Sequence, residues 1–178
     1  EPDIARRVNV DGVRNLALTG VPLIHISTDY VFDGKGHRPY SPSDKTNPVS
    51  VYGQTKLQGE NVIMGVANTA VIIRTAWLYS AFGNNFVKTM RRLGAERAEL
   101  NVVADQIVKI AGEIKPGTRA IYHYSNAGAC SWYDFAHSIM ELSGLKCKVN
   151  PINTAQYPTP AKRPHYSVLD KDDIVRDF

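Results

Sequence analysis

Cysteine is scarce in this 178-residue sequence, and long apolar runs are missing from it. The two cysteines, Cys130 and Cys147, form no disulfide framework and lack the spacing of metal ligands, which favours a reducing compartment. No apolar segment approaches the ~20 residues of a membrane-spanning helix. Residues 1–3 show neither the basic nor the apolar part of a signal peptide. We therefore expect a cytoplasmic protein without a membrane partner.

The sequence also has little excess of charge of one sign. Lys and Arg number 21 and Asp and Glu 17, which gives a net charge of +4. This balance is typical of a mixed, solvated surface with a weak preference for anionic ligands. No basic stripe with interleaved aromatic residues is present, so we do not expect a nucleic-acid partner.

Short β-rich segments alternate with helical segments, as in an α/β domain with a parallel sheet. Strands are predicted over residues 21–26, 71–73 and 120–124, and a helix from about residue 49 to residue 66. The predicted strands are almost continuously apolar, which favours a sheet that helices cover on both faces.

A further helix is predicted after Ser131, which has capping-box spacing to Asp134. Apolar residues follow at helical spacing from Trp132 onward, and Gly144 ends the pattern. We expect this apolar stripe, including Trp132, to face the core.

Tyr52 and Lys56 lie four residues apart in the predicted helix, and so on one of its faces. A nearby ammonium favours the phenolate and lowers a tyrosine pKa from ~10. Such a tyrosine can give a proton to a carbonyl oxygen as a hydride reaches its carbon. The lysine can also hold ribose hydroxyls of a nicotinamide nucleotide. Taken alone, the spacing fits two exposed side chains equally, because nine tyrosines make chance matches common.

Three polar residues, Ser27, Thr28 and Asp29, directly follow the first predicted strand. Ligands of open α/β sheets bind at the carboxyl ends of strands. A hydroxyl there could hydrogen-bond the oxygen that Tyr52 protonates. Ordinary turn chemistry at the end of a strand is the alternative.

Three motifs follow one another along the chain: 27–34 (STDYVFDG), 51–60 (VYGQTKLQGE) and 73–79 (IRTAWLY). With these motifs in this order, the sequence resembles the dTDP-4-dehydrorhamnose reductase family of the extended short-chain dehydrogenase/reductase superfamily. Further matches are 8–9, 15–17, 82–87, 101–103, 105–107 and 162–164. The resemblance covers nearly the whole chain.

For the reaction itself, the resemblance implies that Tyr52 is the proton donor. It implies that Lys56 binds the nicotinamide ribose and depresses the Tyr52 pKa. Thr28 stands where the family keeps an active-site Ser or Thr that adjusts the tyrosine and holds the substrate. Ile26 stands where the strand backbone borders the cofactor.

For the substrate, the resemblance implies that Asp29 contacts the sugar and that Trp77 packs on it. A core aromatic is the alternative for Trp77. Arg163 could bind the nucleotide diphosphate, since arginine suits bidentate phosphate contacts, and a plain surface charge is the alternative there. His25, inside an apolar strand, is expected to be a packed core histidine.

The resemblance implies a Rossmann-like doubly wound parallel sheet with a smaller C-terminal substrate-binding region. We assign residues 1–107 mainly to the first and residues 108–178 mainly to the second, interleaved with it. The implied activity is NADPH-dependent reduction of the C4 keto group of dTDP-4-dehydro-β-L-rhamnose. The resemblance leaves open NADH as the cofactor, a homodimer, and Mg²⁺ at a subunit contact.

The sequence departs from the family pattern in what it omits. No G-x-G-x-x-G occurs, although a dinucleotide-binding domain normally holds the pyrophosphate on such a turn. The stretches around Leu18-Thr19 and Ile107-Val108 also look short, so we expect that segments of the protein are absent from this sequence. Two alternatives stay open: a reductase or epimerase for another nucleotide sugar, and a non-catalytic regulatory subunit like the methionine adenosyltransferase β-subunit.

Overall fold

The computed structural model describes residues 2–94, 114–151 and 163–178, which form two compact units. The first unit comprises residues 2–76, 114–125 and 163–178, and the second comprises 77–94 and 126–151. The predicted boundary between residues 107 and 108 lies outside the described residues. No helix in the described ranges is long and apolar enough to cross a membrane.

The first unit contains a parallel sheet flanked by helices. Its elements in chain order are α1 (Pro2–Arg6), a π-helical segment (Arg7–Gly12), α2 (Val13–Ala17), β1 (Leu23–Thr28), a 3₁₀ turn (Asp29–Val31), α3 (Val51–Val66), β2 (Ala70–Thr75), β3 (Arg119–His123) and, after the two helices of the second unit, α6 (Asp172–Asp177). The predicted α/β fold is confirmed.

The sheet has the order β1-β2-β3, with both pairs parallel. The register pairs Thr28 with Thr75 at the carboxyl ends of β1 and β2. Every residue of β2 is buried, which explains why its sequence is so apolar. On one face Ala70 and Ile72 pack against Ile63 of α3, and on the other face Val71 and Ile73 pack against Ile174 of α6.

Helix α3 starts at a side-chain cap, because Ser50 Oγ accepts a hydrogen bond from the Gly53 N–H at 3.1 Å. Two glycines let this helix lie close to its neighbours. A Cβ on Gly53 would stand 2.2 Å from the Tyr30 carbonyl oxygen, and one on Gly59 would stand 2.3 Å from that of Asn9. The N-terminal turn of α3 is thereby held against the 3₁₀ turn that follows β1.

The second unit contains α4 (Phe86–Gly94) and α5 (Trp132–Leu142). The predicted capping box is confirmed: the Asp134 N–H donates to Ser131 Oγ at 3.1 Å, and the Ser131 N–H donates to Asp134 Oδ2 at 2.9 Å. Ala136, Ile139 and Met140 are buried as expected. The expectation for Trp132 is wrong, because its side chain is 44% exposed. It occupies the first helical position and stacks on Trp77.

Candidate active site

The carboxyl end of β1 carries a buried hydroxyl and a buried carboxyl side by side. Thr28 Oγ1 accepts a hydrogen bond from the Tyr30 N–H at 3.2 Å and donates one to Asp29 Oδ1 at 3.1 Å. Burial raises the pKa of Asp29, while hydrogen bonds from Ser167 and Thr28 act in the opposite direction. The structure places Thr28 and Asp29 in one hydrogen-bonded turn at the carboxyl end of a parallel strand, where open α/β sheets generally bind their ligands.

Tyr52 stands in the first turn of α3, next to this 3₁₀ turn. Its ring meets that of Tyr30 edge-on, with the ring centroids 5.8 Å apart. The residue is 49% exposed, so Tyr52 lies at the surface beside the turn. The Gly53 contact described above fixes the distance between α3 and the turn, and with it the place of Tyr52.

Lys56, one helical turn after Tyr52, points to the backbone of β1. Its Nζ donates to the Ile26 carbonyl oxygen at 2.6 Å and lies 3.3 Å from His25 Nε2. Burial lowers the pKa of Lys56, and the Glu60 carboxylate acts in the opposite direction. Ile26 thus contributes its carbonyl group to the site, in keeping with a backbone role.

Sequence reasoning placed His25 in the core, and the structure corrects this. The ring is only partly buried and lies on the face of the sheet that α3 covers, beside an ammonium group. Burial lowers the pKa of His25 to about 4, and the charge of Lys56 acts in the same direction. The contact between His25 and Lys56 is difficult to predict from the sequence, because the two residues belong to different elements.

Sequence reasoning also missed a buried ion pair behind these residues. Glu60 follows Lys56 by one more turn of α3 and is 1% exposed. Arg74 of β2 donates to both of its carboxylate oxygens, with Nη2 2.7 Å from Oε2 and Nε 3.0 Å from Oε1. Ser27 Oγ donates to Oε1 at 2.5 Å. This pair ties α3 to both β1 and β2.

Arg74 also contacts the loop between β1 and α3. Arg74 Nη1 donates to the Pro42 carbonyl oxygen at 3.1 Å and lies 3.5 Å from His123 Nε2. His123 Nδ1 donates to the Tyr40 carbonyl oxygen at 2.9 Å. Burial lowers the pKa of His123 to about 4, with Arg74 acting in the same direction, so the ring is neutral near pH 7.

Arg163 lies near the same 3₁₀ turn. The next residues are held by the turn at Gly34, whose carbonyl oxygen accepts a hydrogen bond from the Tyr166 N–H at 3.2 Å. Burial raises the pKa of Tyr30, and the charge of Arg163 opposes this shift. Arg163 is exposed, so both a diphosphate contact and a plain surface charge fit its position.

Trp77 belongs to the second unit, where it forms an aromatic cluster. It is the sole described non-glycine residue with a left-handed backbone (φ 57°). Its indole stacks on that of Trp132 with centroids 3.9 Å apart, and the rings of Phe86 and Phe135 meet it edge-on. The substrate contact predicted for Trp77 stays a prediction.

The residues present fit the nicotinamide end of a dinucleotide. Lys56 offers an ammonium group and Tyr52 a hydroxyl group at the edge where such ligands bind. Beside Thr28, the buried Thr75 hydroxyl has no hydrogen-bond partner in the described part of the chain. The described ranges hold no cluster of three His, Cys, Asp or Glu side chains arranged for a metal ion.

Comparison with known proteins gives a consistent family. The RmlD substrate binding domain matches residues 1–178. The dTDP-4-dehydrorhamnose reductase of Sinorhizobium fredii is 43% identical over 203 aligned positions, which include all of this chain and 69% of the relative. The reductase of Escherichia coli is 37% identical over all of this chain and 68% of its own length. Both alignments are longer than the chain, so these relatives contain internal residues without a counterpart here.

Two solved structures with a similar fold belong to the same kind of reductase. A reductase from Clostridium acetobutylicum has a TM-score of 0.83 and 44% identity, over 96% of this chain and 65% of that one. A reductase from Bacillus anthracis, solved in complex with NADP, has a TM-score of 0.87 and 38% identity, over 99% of this chain and 68% of that one. The chain thus spans about two thirds of the length of these relatives. Because the match extends over all 178 residues, the chain belongs to the RmlD substrate binding domain family.

Proposed function

We propose that the protein is an NADPH-dependent oxidoreductase that reduces the C4 keto group of dTDP-4-dehydro-β-L-rhamnose to dTDP-β-L-rhamnose. The observation that carries the proposal is the position of Tyr52 and Lys56 on α3, beside the Thr28–Asp29 turn at the carboxyl edge of the sheet. The proposed substrate is the one for which the reductases of S. fredii and E. coli are named. The activity is that of the whole protein, of which this chain carries the proton-transfer residues.

NADPH, when bound, supplies the hydride that reaches the keto carbon. In this chain Lys56 is the residue that would hold the nicotinamide ribose, because its ammonium group has a third N–H beyond those directed to Ile26 and His25. The Thr75 hydroxyl is a further polar group at the same edge. The 178-residue sequence contains no G-x-G-x-x-G motif, the glycine-rich turn that normally binds the pyrophosphate.

The proton comes from Tyr52. As the hydride adds to C4, negative charge develops on the keto oxygen, and the Tyr52 hydroxyl transfers its proton to that oxygen. Lys56 follows Tyr52 by one turn of the same helix, on the same face. If the Thr28 O–H turned from Asp29 Oδ1 to the same oxygen, its hydrogen bond would add stabilisation where the charge develops.

The remaining residues serve the substrate. Asp29 would accept hydrogen bonds from sugar hydroxyls, Trp77 would pack on the sugar ring, and Arg163 would bind the diphosphate. The proposal includes a homodimer in the cytoplasm, with Mg²⁺ at a subunit contact.

The decisive test is sugar-dependent NADPH oxidation by the full-length protein, with the keto sugar generated in situ. We expect Tyr52→Phe to lower kcat by at least about 100-fold, since general acid catalysis contributes about 10²–10⁴-fold. Tyr122→Phe is the matched control, because it removes a hydroxyl that donates to Asp177 at 2.9 Å, away from the site. Wild-type protein that binds NADPH and leaves the sugar untouched would contradict the proposal and favour a regulatory subunit or another nucleotide sugar.

A further inference from the structure

Lys56 reaches β1 through two neighbouring acceptors. Its Nζ is 2.6 Å from the Ile26 carbonyl oxygen and 3.3 Å from His25 Nε2. His25 and Ser27 point to the face of the sheet that α3 covers, since Ser27 contacts Glu60 of that helix. The imidazole therefore lies on the same side of the sheet as the Lys56 side chain, and not in the apolar cluster that Ile24 and Ile26 join on the other face.

The contact determines the protonation state of the ring. An ammonium group has three N–H donors and no acceptor, so it can bond His25 Nε2 only through the lone pair of an unprotonated nitrogen. A neutral histidine with a bare Nε2 carries its proton on Nδ1. A protonated ring would instead place two positive charges 3.3 Å apart in a partly buried site.

We propose that His25 is a positioning residue for Lys56. Its bare Nε2 accepts one N–H of the ammonium group, the Ile26 carbonyl accepts a second, and the third is left for a hydroxyl of the nicotinamide ribose. The inference rests on the proposed function for the identity of this ligand. It goes beyond that function because it assigns a role to a side chain outside the tyrosine, lysine and threonine of the proton transfer.

The structure also explains why a second acceptor is useful. A lysine side chain has four rotatable bonds, and one contact at its tip leaves the direction of the other two N–H groups free. Two acceptors from adjacent residues of a paired strand restrict that freedom. His25 and Ile26 are fixed because β1 pairs with β2 at both positions, His25 with Ile72 and Ile26 with Ile73.

The test compares two substitutions in the full-length protein. His25→Gln keeps an acceptor oxygen near the position of Nε2, while His25→Leu has similar bulk and no acceptor. His37→Leu, at an exposed position of the loop, is the matched control. The dissociation constant for NADPH is measured by fluorescence titration without sugar, and kcat and KM are measured separately with it.

We expect His25→Leu to weaken NADPH binding on the order of 10-fold, the scale of a hydrogen bond to a charged group, and to lower kcat. His25→Gln should recover most of both losses. Equal losses in both variants would overturn the proposal in favour of packing, and so would wild-type binding in His25→Leu. If the wild type fails to reduce the sugar while the binding difference persists, the proposed function fails and the role of His25 stands.

A spectroscopic measurement covers the case in which His25→Leu does not fold. In wild-type protein labelled with ¹⁵N-histidine, the His25 signals are assigned by their loss in His25→Gln. The proposal requires a neutral ring with the proton on Nδ1 at pH 7, and an Nε2 signal that shifts in Lys56→Met. A ring protonated on Nε2 would overturn it.

Discussion

The most deeply buried charges of the first unit belong to one residue pair, Glu60 and Arg74. Their side chains are 1% and 4% exposed, so both charges are removed from water and compensate each other. The carboxylate accepts from Arg74 through two nitrogens and also from Ser27, which satisfies both of its oxygens. A pair of this kind gives little net stability, but the loss of one partner leaves the other charge buried and uncompensated.

We therefore expect Glu60→Gln to destabilise the protein by about 3–5 kcal/mol, the usual cost of breaking a buried pair. The amide has nearly the same shape as the carboxylate, so the loss reports charge and not volume. Urea unfolding of the full-length variant measures it.

Arg38→Gln is the matched control, because Arg38 pairs with Asp44 at the surface, with its own side chain 68% exposed. Its unfolding midpoint should stay close to the wild-type value. A Glu60→Gln midpoint equally close to wild type would contradict the picture of a buried, compensated pair.

At the residue level, the sequence predicted part of the site. The i, i+4 spacing of Tyr52 and Lys56 and the position of Thr28 at the end of a strand are local features, which a one-dimensional pattern preserves. The contact between Lys56 and His25 joins residues on a helix and a strand, so it depends on how α3 packs on β1. No local spacing contains that information.

Among the elements, α3 determines the geometry of the site because it carries both Tyr52 and Lys56. Its close approach to its neighbours depends on glycine at positions where a side chain would meet backbone. The nearest obstacle to a Cβ on Gly59 is the Asn9 carbonyl oxygen, at 2.3 Å. Backbone cannot move aside as a flexible side chain can.

We expect Gly59→Ala to lower the free energy of unfolding by about 1–3 kcal/mol through overpacking, although alanine is the better helix former. Gly65→Ala is the matched control, because it lies in the same helix and a Cβ there would meet nothing within 4 Å. That substitution should stabilise the protein by up to about 1 kcal/mol. Thermal unfolding of both variants checks the prediction, and equal effects would refute it.

The order and type of the three strands and of α3 could be predicted, because each element covers a continuous run of residues with one hydrophobic pattern. β1 begins later than predicted, at Leu23, and continues to Thr28, since the pairing with β2 extends through the polar residues. The N-terminal helical segment from Pro2 to Ala17 was not predicted. Its middle, Arg7–Gly12, is π-helical, and this spacing blurs the 3.6-residue pattern of apolar positions.

At the scale of the whole molecule, stability depends on two histidines that the fold keeps neutral. His25 lies beside Lys56 and His123 beside Arg74, and burial lowers the pKa of each to about 4 from the ordinary value of 6.5. The unfolded chain takes up protons at both residues near pH 6.5, whereas the folded protein does so only near pH 4. Their contribution to stability is therefore complete above pH 6.5 and is lost as the pH falls towards 4.

We expect the free energy of unfolding to fall between pH 6.5 and pH 4, with each histidine contributing up to about 1.4 kcal/mol per pH unit. The measurement is urea unfolding of the full-length protein at several pH values, for the wild type and for His123→Gln. The variant loses the hydrogen bond to the Tyr40 carbonyl oxygen, so it is less stable than the wild type above pH 6.5. Its pH slope, however, should be shallower than that of the wild type by the share of one histidine. Parallel curves would mean that His123 takes up its proton at the same pH in the folded and unfolded states, contrary to its burial against Arg74.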